Sequence, residues 1–242
     1  MKHIGILAHS AEGATLCYRT CWLEGIARLG PHNHPEITLT GIAMHHALGA
    51  WERDDRQALR AIFMADAAKL AAAGADFLIL PDNSAHIALE APGEPFPLPC
   101  LHIAEVVAAT AAERGHKRIG ILGTEWTMGG PVYPAAFARQ GLAWEVPEEA
   151  DRAIVHEVIM GELCLGTFRD ESRAEYVRII NDLAAKGCDA VALVCTEIPL
   201  LISAEDSPLP IVDSTRLLAK AAVEVAIGDR PMPQWRGGSI AD

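Results

Sequence analysis

The sequence predicts an α/β protein made of two similar lobes, each built on a small parallel sheet. Three observations predict it. Short apolar runs alternate with longer amphipathic stretches, Gly and Asp mark the junctions between them, and the whole pattern occurs twice. AAAGADFLILPD (71–82) aligns with AAKGCDAVALVC (184–195), with five of twelve residues identical. HIGILAH (3–9) aligns with RIGILGT (118–124), and LPCLHI (98–103) with LPIVDS (209–214). The offsets are 113, 115 and 111 residues, so three blocks recur in one order at nearly one spacing. A single larger doubly wound sheet accounts for the alternation but not for this repetition.

Each element follows from its residues. IGIL (4–7), FLIL (77–80), IGIL (119–122) and AVALV (190–194) are short and bounded by Gly, Pro or polar residues. Runs of this kind suit strands buried on both faces of a parallel sheet. Residues 55–73 place Leu59, Ile62, Phe63 and Leu70 at helical spacing, with Gly74 following as a helix stop. Residues 171–186 repeat this before Gly187, and residues 103–115 form a third helical stretch. Helix, Gly, Asp, strand and polar loop make the βαβ rhythm of flavodoxin-like or Rossmann-like lobes. The expected boundaries are 1–100 plus 212–242 for the first lobe and 101–211 for the second. The tail GDRPMPQWRGGSIAD (228–242) is rich in Pro and Gly and is expected to lie outside the core.

Composition excludes several classes of function. The 242 residues carry 20 basic and 32 acidic side chains, a formal net charge of −12. That balance argues against nucleic acid and against an anionic membrane as partners. The first apolar run is only four residues long, too short for a secretory signal, and no stretch reaches membrane-span length. A cytoplasmic location is the expectation. The six cysteines, Cys17, Cys21, Cys100, Cys164, Cys188 and Cys195, show no C-x-x-C spacing, so free thiols are expected. Ten histidines include His32, His34, His45 and His46, but none has ligand companions at metal-site spacing, so no metal is expected.

Ligands of parallel α/β sheets bind beyond the carboxyl ends of the strands. PDNSAH (81–86) and VCTEIP (194–199) are equivalent loops at such ends. If the lobes face each other about a pseudo-twofold axis, the two loops meet in one cleft, with Asp82 across from Cys195.

Several blocks together resemble the aspartate/glutamate racemase family, which also includes hydantoin racemases and arylmalonate decarboxylases. They are IGILAHSAEGAT (4–15), the AGAD stretch leading to Asn83-Ser84-Ala85-His86, IGILGTEWTM (119–128), ELCLGTFRDESR (162–173), CTEIPLL (195–201) and PIVDSTRLLA (210–219). The likeness covers roughly residues 3–225. It implies proton transfer without a cofactor: two thiols, one per lobe, flank the substrate Cα, one removing the proton and the other delivering one to the opposite face. By this resemblance Cys195 is one of the pair. The place of the other cysteine holds Asp82.

That departure sets the chemistry. A carboxyl has an ordinary pKa of about 3.9 and a thiol about 8.5. Burial beside Leu80 and Pro81 is expected to raise Asp82 and make it a better base. Cys195 is expected to need donors from Thr196 and the following amides in order to ionise. By the same analogy Asn83, Ser84, Thr124 and Thr196 offer donors to a substrate carboxylate and to the enediolate formed when Cα loses its proton. Ser84 and Thr124 serve equally well as helix N-caps. Glu197 either orients a partner, binds a substrate ammonium or is a first-turn acid favoured by the helix dipole. His86 reads as structural. Leu218 lies near a position where family members often carry a His. Arg53, Arg56 and Arg169 are candidates for holding a second carboxylate, against the simpler reading of solvated helix faces.

Three functions remain open on the sequence. The first is a cofactor-independent amino-acid racemase or epimerase that uses Cys195 and Asp82, assembled as a homodimer as is common in this family. The second is a decarboxylase or cis-trans isomerase of a small dicarboxylate using Cys195 alone. The third is a two-lobed binding protein with no turnover.

Overall fold

A computed structural model of the chain describes residues 1–240. The chain divides into two compact units. One comprises Met1–Ile103 and the return segment beginning at Leu218; the other is Ala104–Leu217.

The first unit contains a four-stranded sheet of β1 (Ile4–Ala8), β2 (Ile37–Gly41), β3 (Phe77–Ile79) and β4 (Cys100–Leu101), in the order β2-β1-β3-β4. Every pairing is parallel. Helices α1 (Ala11–Leu29), α2 (His45–Glu52), α3 (Arg56–Ala72) and α4 (His86–Leu89) connect the strands. The second unit begins one residue into α5 (Ile103–Glu113), which follows β4. Its sheet has the same form: β5 (Arg118–Leu122), β6 (Ala143–Glu145), β7 (Ala190–Leu193) and β8 (Ile211–Asp213), in the order β6-β5-β7-β8, again all parallel. Its helices are α6 (Glu125–Gly129), α7 (Val132–Arg139), α8 (Glu149–Gly161), α9 (Asp170–Ala185), α10 (Ile198–Leu201) and the start of α11 (Ser214–Ile227).

The sequence repeat has a physical explanation at each matched residue. Central strands are covered on both faces, so Ile4, Ile6, Phe77, Leu78, Ile79, Ile119, Ile121 and Val191 are all fully buried. The glycine inside Ile-Gly-Ile-Leu marks a close approach of helix to strand. A Cβ on Gly5 would come within 3.0 Å of Ala75 and Leu78 and 3.3 Å of Leu70 on α3; one on Gly120 would meet Leu183 on α9 at 2.9 Å. Gly74 and Gly187 follow α3 and α9 at φ +90 and +87°, the left-handed turn that ends a helix without a Cβ penalty. The Asp two residues later ties down the start of the neighbouring strand. Asp76 accepts the His3 backbone N–H at 2.7 Å, and Asp189 accepts that of Lys117 at 2.8 Å.

The C-terminal tail lies outside the buried core as expected, with no described residue from 228 onward buried, yet it docks on the first unit. Phe96 N–H donates to the Arg236 carbonyl and Cys100 N–H to the Trp235 carbonyl, both at 2.8 Å. Gly238 N–H reaches the Leu89 carbonyl at 2.8 Å, and the Trp235 ring stands edge-on to His102 at 4.6 Å. The Pro and Gly residues shape this return and do not loosen it.

Candidate active site

In the first unit, the chain leaving β3 turns sharply at Asp82. The turn is closed by the carboxylate itself: Oδ1 accepts the Ala85 backbone N–H at 3.0 Å. The other oxygen, Oδ2, contacts Nδ1 of His9. An ionised carboxylate can only accept, so Nδ1 carries the proton. His9 lies one residue beyond β1, its side chain only 4% exposed, and Asp82 retains 17% exposure. Burial, the largest single influence, pushes the Asp82 carboxyl up, but His9, the Ala85 amide and His86 together pull it down further. The net result is a carboxyl below its ordinary value of 3.8. This reverses the expectation that burial would raise it: the sequence shows the apolar neighbours but not the imidazole that folding brings beside them.

His86 is structural. Its Nδ1 donates to the Asp82 carbonyl at 2.8 Å, which leaves Nε2 to accept the Ile103 N–H at 3.4 Å. Burial, with His102 alongside, lowers the ring to about 3, so it stays neutral. Asn83 and Ser84 are buried in the same turn, and their carbonyls accept the His86 and Ile87 N–H groups.

In the second unit, Cys195 follows β7 by two residues, as Asp82 follows Leu80. It is buried, 7% exposed. Its thiol donates to Glu197 Oε2 at 2.9 Å. The Thr196 hydroxyl also goes to Glu197 Oε2, at 3.0 Å, and not to the sulfur as expected. Glu197, 2% exposed, is therefore the acceptor of two neighbouring donors. Burial pushes the Cys195 thiol well above its ordinary 9.0, and the Glu197 carboxylate beside it adds to the effect. The loop is anchored from α11: the Ser214 hydroxyl donates to the Leu193 carbonyl at 2.8 Å, and that of Thr215 to the Thr196 carbonyl at 3.4 Å.

Thr124 takes the capping role. Its Oγ accepts the Thr127 N–H at 3.2 Å and lies 3.0 Å from the Thr127 hydroxyl. Arg53, Arg56 and Arg169 are solvent-exposed; Arg56 pairs with Asp54 at 3.1 Å and Arg169 with Glu162 at 3.6 Å. Leu218 is fully buried. Cys17 and Cys21 are buried core residues of α1, and the Cys21 thiol donates to the Ala219 carbonyl at 3.7 Å. Among the described residues no three His, Cys, Asp or Glu side chains gather as a metal-binding group.

The sequence reading missed His9. The signal that could have found it was topological. Strands β1 and β3 are parallel neighbours, so the residues that follow them emerge side by side.

Comparison with known proteins decides the family. The profile of the Asp/Glu/hydantoin racemases matches residues 11–222. This chain belongs to the Asp/Glu/hydantoin racemase family. It is 25% identical over 171 residues to the broad specificity amino-acid racemase RacX of Bacillus subtilis, covering 70% of this chain and 73% of that one. A Yersinia pestis structure provisionally named an Asp/Glu racemase superposes with a TM-score of 0.81 at 31% identity, covering 94% of this chain and all of the other. An aspartate racemase homologue from Pyrococcus horikoshii gives 0.75 at 24% identity over the same 94%, again with all of the other chain covered; at that identity the likeness speaks for the fold alone.

Proposed function

We propose that this racemase-family chain is a cofactor-independent amino-acid racemase or epimerase that moves the Cα proton between Asp82 and Cys195. The single observation that supports the reading is the opposite surroundings of two equivalent strand-end positions: the Asp82 carboxyl faces the His9 ring and the Ala85 N–H, whereas the Cys195 thiol donates to Glu197. Asp82 is held as a carboxylate. Cys195 is held as a thiol. One can accept a proton and the other can deliver one without prior adjustment.

In the proposed step the Cα–H bond breaks, its electron pair stays on Cα, and the proton goes to Asp82. The Cys195 S–H proton then passes to the opposite face of Cα, and sulfur keeps the pair as thiolate. That both loops bracket one substrate is part of the proposal and rests on family resemblance. So do the small amino-acid substrate, the independence from cofactors and a homodimeric state. Asn83, Ser84, Thr124 and backbone amides, that of Thr196 included, are the proposed donors to the substrate carboxylate, the Thr196 hydroxyl being taken by Glu197. Glu197 receives the thiol's hydrogen bond and fixes its direction.

One observation favours a second reading. A carboxylate held below its usual range is a weak base toward a carbon acid. A protonated Cys195 alone is sufficient for a decarboxylase, in which carbon dioxide leaves a small dicarboxylate and the thiol protonates the resulting carbanion.

Proton NMR in deuterated water separates the two. Incubation with a panel of L- and D-amino acids is expected to show loss of the Cα signal for at least one, and Cys195→Ala to abolish conversion to the other enantiomer. Conversion retained in Cys195→Ala rejects the mechanism. No exchange across the panel, with carbon dioxide released from a malonate, selects the second reading.

A further inference from the structure

We propose that His9 is the positioning residue of the first-unit proton-transfer centre, fixing the Asp82 carboxylate in the place and form in which it receives the Cα proton. This rests on the racemase reading above.

Four observations point the same way. First, β1 and β3 pair in register from Ile4↔Phe77 to Ile6↔Ile79, so their C-terminal ends deliver His9 and Asp82 to one spot. Second, the His9 ring is buried and stands edge-on to Phe63 of α3, with centroids 5.4 Å apart and planes at 84°; packing sets its orientation. Third, the carboxylate is held from two directions, by Nδ1 of His9 at Oδ2 and by the Ala85 amide at Oδ1. A carboxylate restrained at both oxygens keeps one orientation toward anything that approaches its remaining lone pairs. Fourth, the fold does not require a histidine here. In the repeat, His9 of HIGILAH aligns with Thr124 of RIGILGT. Thr124 caps its own turn through Thr127. The same strand end is thus built in the second unit without an imidazole.

The titratable groups that act on Asp82 are His9 beyond β1 and His86 on α4. His86 lowers the carboxyl least of the causes and is bonded to the backbone carbonyl of Asp82, not to its carboxylate. His9 is therefore the side chain that sets the carboxylate's charge and direction.

The test uses the full chain with two substitutions. His9→Asn keeps an N–H donor near the Nδ1 position but no titrating ring; His9→Phe removes the donor. Carbon-13 NMR of aspartate-labelled protein, with the Asp82 carboxyl signal assigned through Asp82→Asn, reads its titration midpoint. The rate of Cα exchange is followed over the same pH range. The native midpoint is expected below 3.8, the ordinary value. His9→Phe is expected to move it upward, to carry the acid limb of the exchange rate with it, and to lower kcat about 100-fold with less change in KM. His9→Asn is expected to recover part of the rate at neutral pH.

An unchanged Asp82 midpoint in both variants overturns the proposal. So does a rate that falls by one factor at every pH, the mark of a purely structural residue. If His9→Phe does not fold, the midpoint and acid limb of His9→Asn decide. The carboxyl titration stands apart from the racemase reading. A midpoint that moves in a chain with no Cα exchange sinks that reading and, with it, the role assigned to His9, while the His9–Asp82 contact itself survives.

Discussion

The loop after β3 and the loop after β7 occupy equivalent places in two copies of one fold, yet they surround Asp82 and Cys195 in opposite ways. At Asp82 burial works against the charged form, and a neighbouring imidazole with the Ala85 amide and His86 overcomes it. At Cys195 burial works against the charged form and a neighbouring carboxylate reinforces it. The β-sheet supplies position in both cases. The polarity comes from the companion side chain: His9 arrives from the adjacent strand β1, and Glu197 from two residues further along the same loop. In the proposed mechanism a duplicated scaffold thus yields a pair that starts as one base and one acid.

The largest effects are expected where the comparison is attacked directly. Asp82→Asn and Cys195→Ser should each lower the interconversion of enantiomers by about 10²–10⁴-fold, measured by polarimetry. Asp82→Cys makes the two loops alike. In that variant the acid limb of the exchange rate should move up into the thiol range, because a thiol must now ionise before it can accept the proton.

Glu197→Gln tests the other side. Removal of the carboxylate should bring the Cys195 thiol down toward its ordinary value while leaving burial in place. Alkylation by iodoacetamide at mildly alkaline pH should then be several-fold faster than in the native chain. An unchanged rate would mean that burial alone sets the thiol.

Stability should follow the same logic with pH. His86 is neutral when folded, with its value lowered from 6.5 to about 3. The unfolded chain binds a proton there first, so stability should fall as pH drops below 6.5 and continue falling toward 3. Asp82, whose folded value is depressed, contributes stability that is present above 3.8 and lost as pH falls through its folded value. Urea titrations of His86→Gln should be flatter between those limits, although the variant is less stable at neutral pH by about 1–3 kcal/mol for its weakened buried hydrogen bonds.

The smallest effects concern the repeat itself. Gly120→Ala sets a Cβ against Leu183 and should cost about 1–3 kcal/mol by overpacking. Gly187→Ala meets no neighbour, but sits at φ +87° and should cost about 1–2 kcal/mol of backbone strain. Thermal unfolding measures both.

Most of the fold was legible because the repeated residues are those with local mechanical duties. Gly5 and Gly120 admit a helix, Gly74 and Gly187 end one, and Asp76 and Asp189 secure the next strand. Each duty is tied to a residue type at a fixed spacing, so sequence displays it. The positions of Asp82 and Cys195 were legible for the same reason. Their charge states were not, because they depend on partners brought in by folding. His9 lies 73 residues from Asp82. Glu197 was visible two residues from Cys195, but whether it or Thr196 met the sulfur is a matter of side-chain direction. The tail's place outside the core was legible but its docking was not, because its contacts to Phe96 and Cys100 are backbone bonds that carry no sequence signature.

The central claim is that the pair starts as base at Asp82 and acid at Cys195. A single-turnover experiment with protein in excess tests it, using each enantiomer of the substrate found in the exchange panel. The enantiomer whose Cα–H faces Asp82 is predicted to convert in one fast phase. Its mirror image must wait for the pair to reverse its protonation and should lag behind. Equal fast phases for both enantiomers, in a chain that does racemise, would contradict the account, because they require the two loops to hold either protonation state with equal ease.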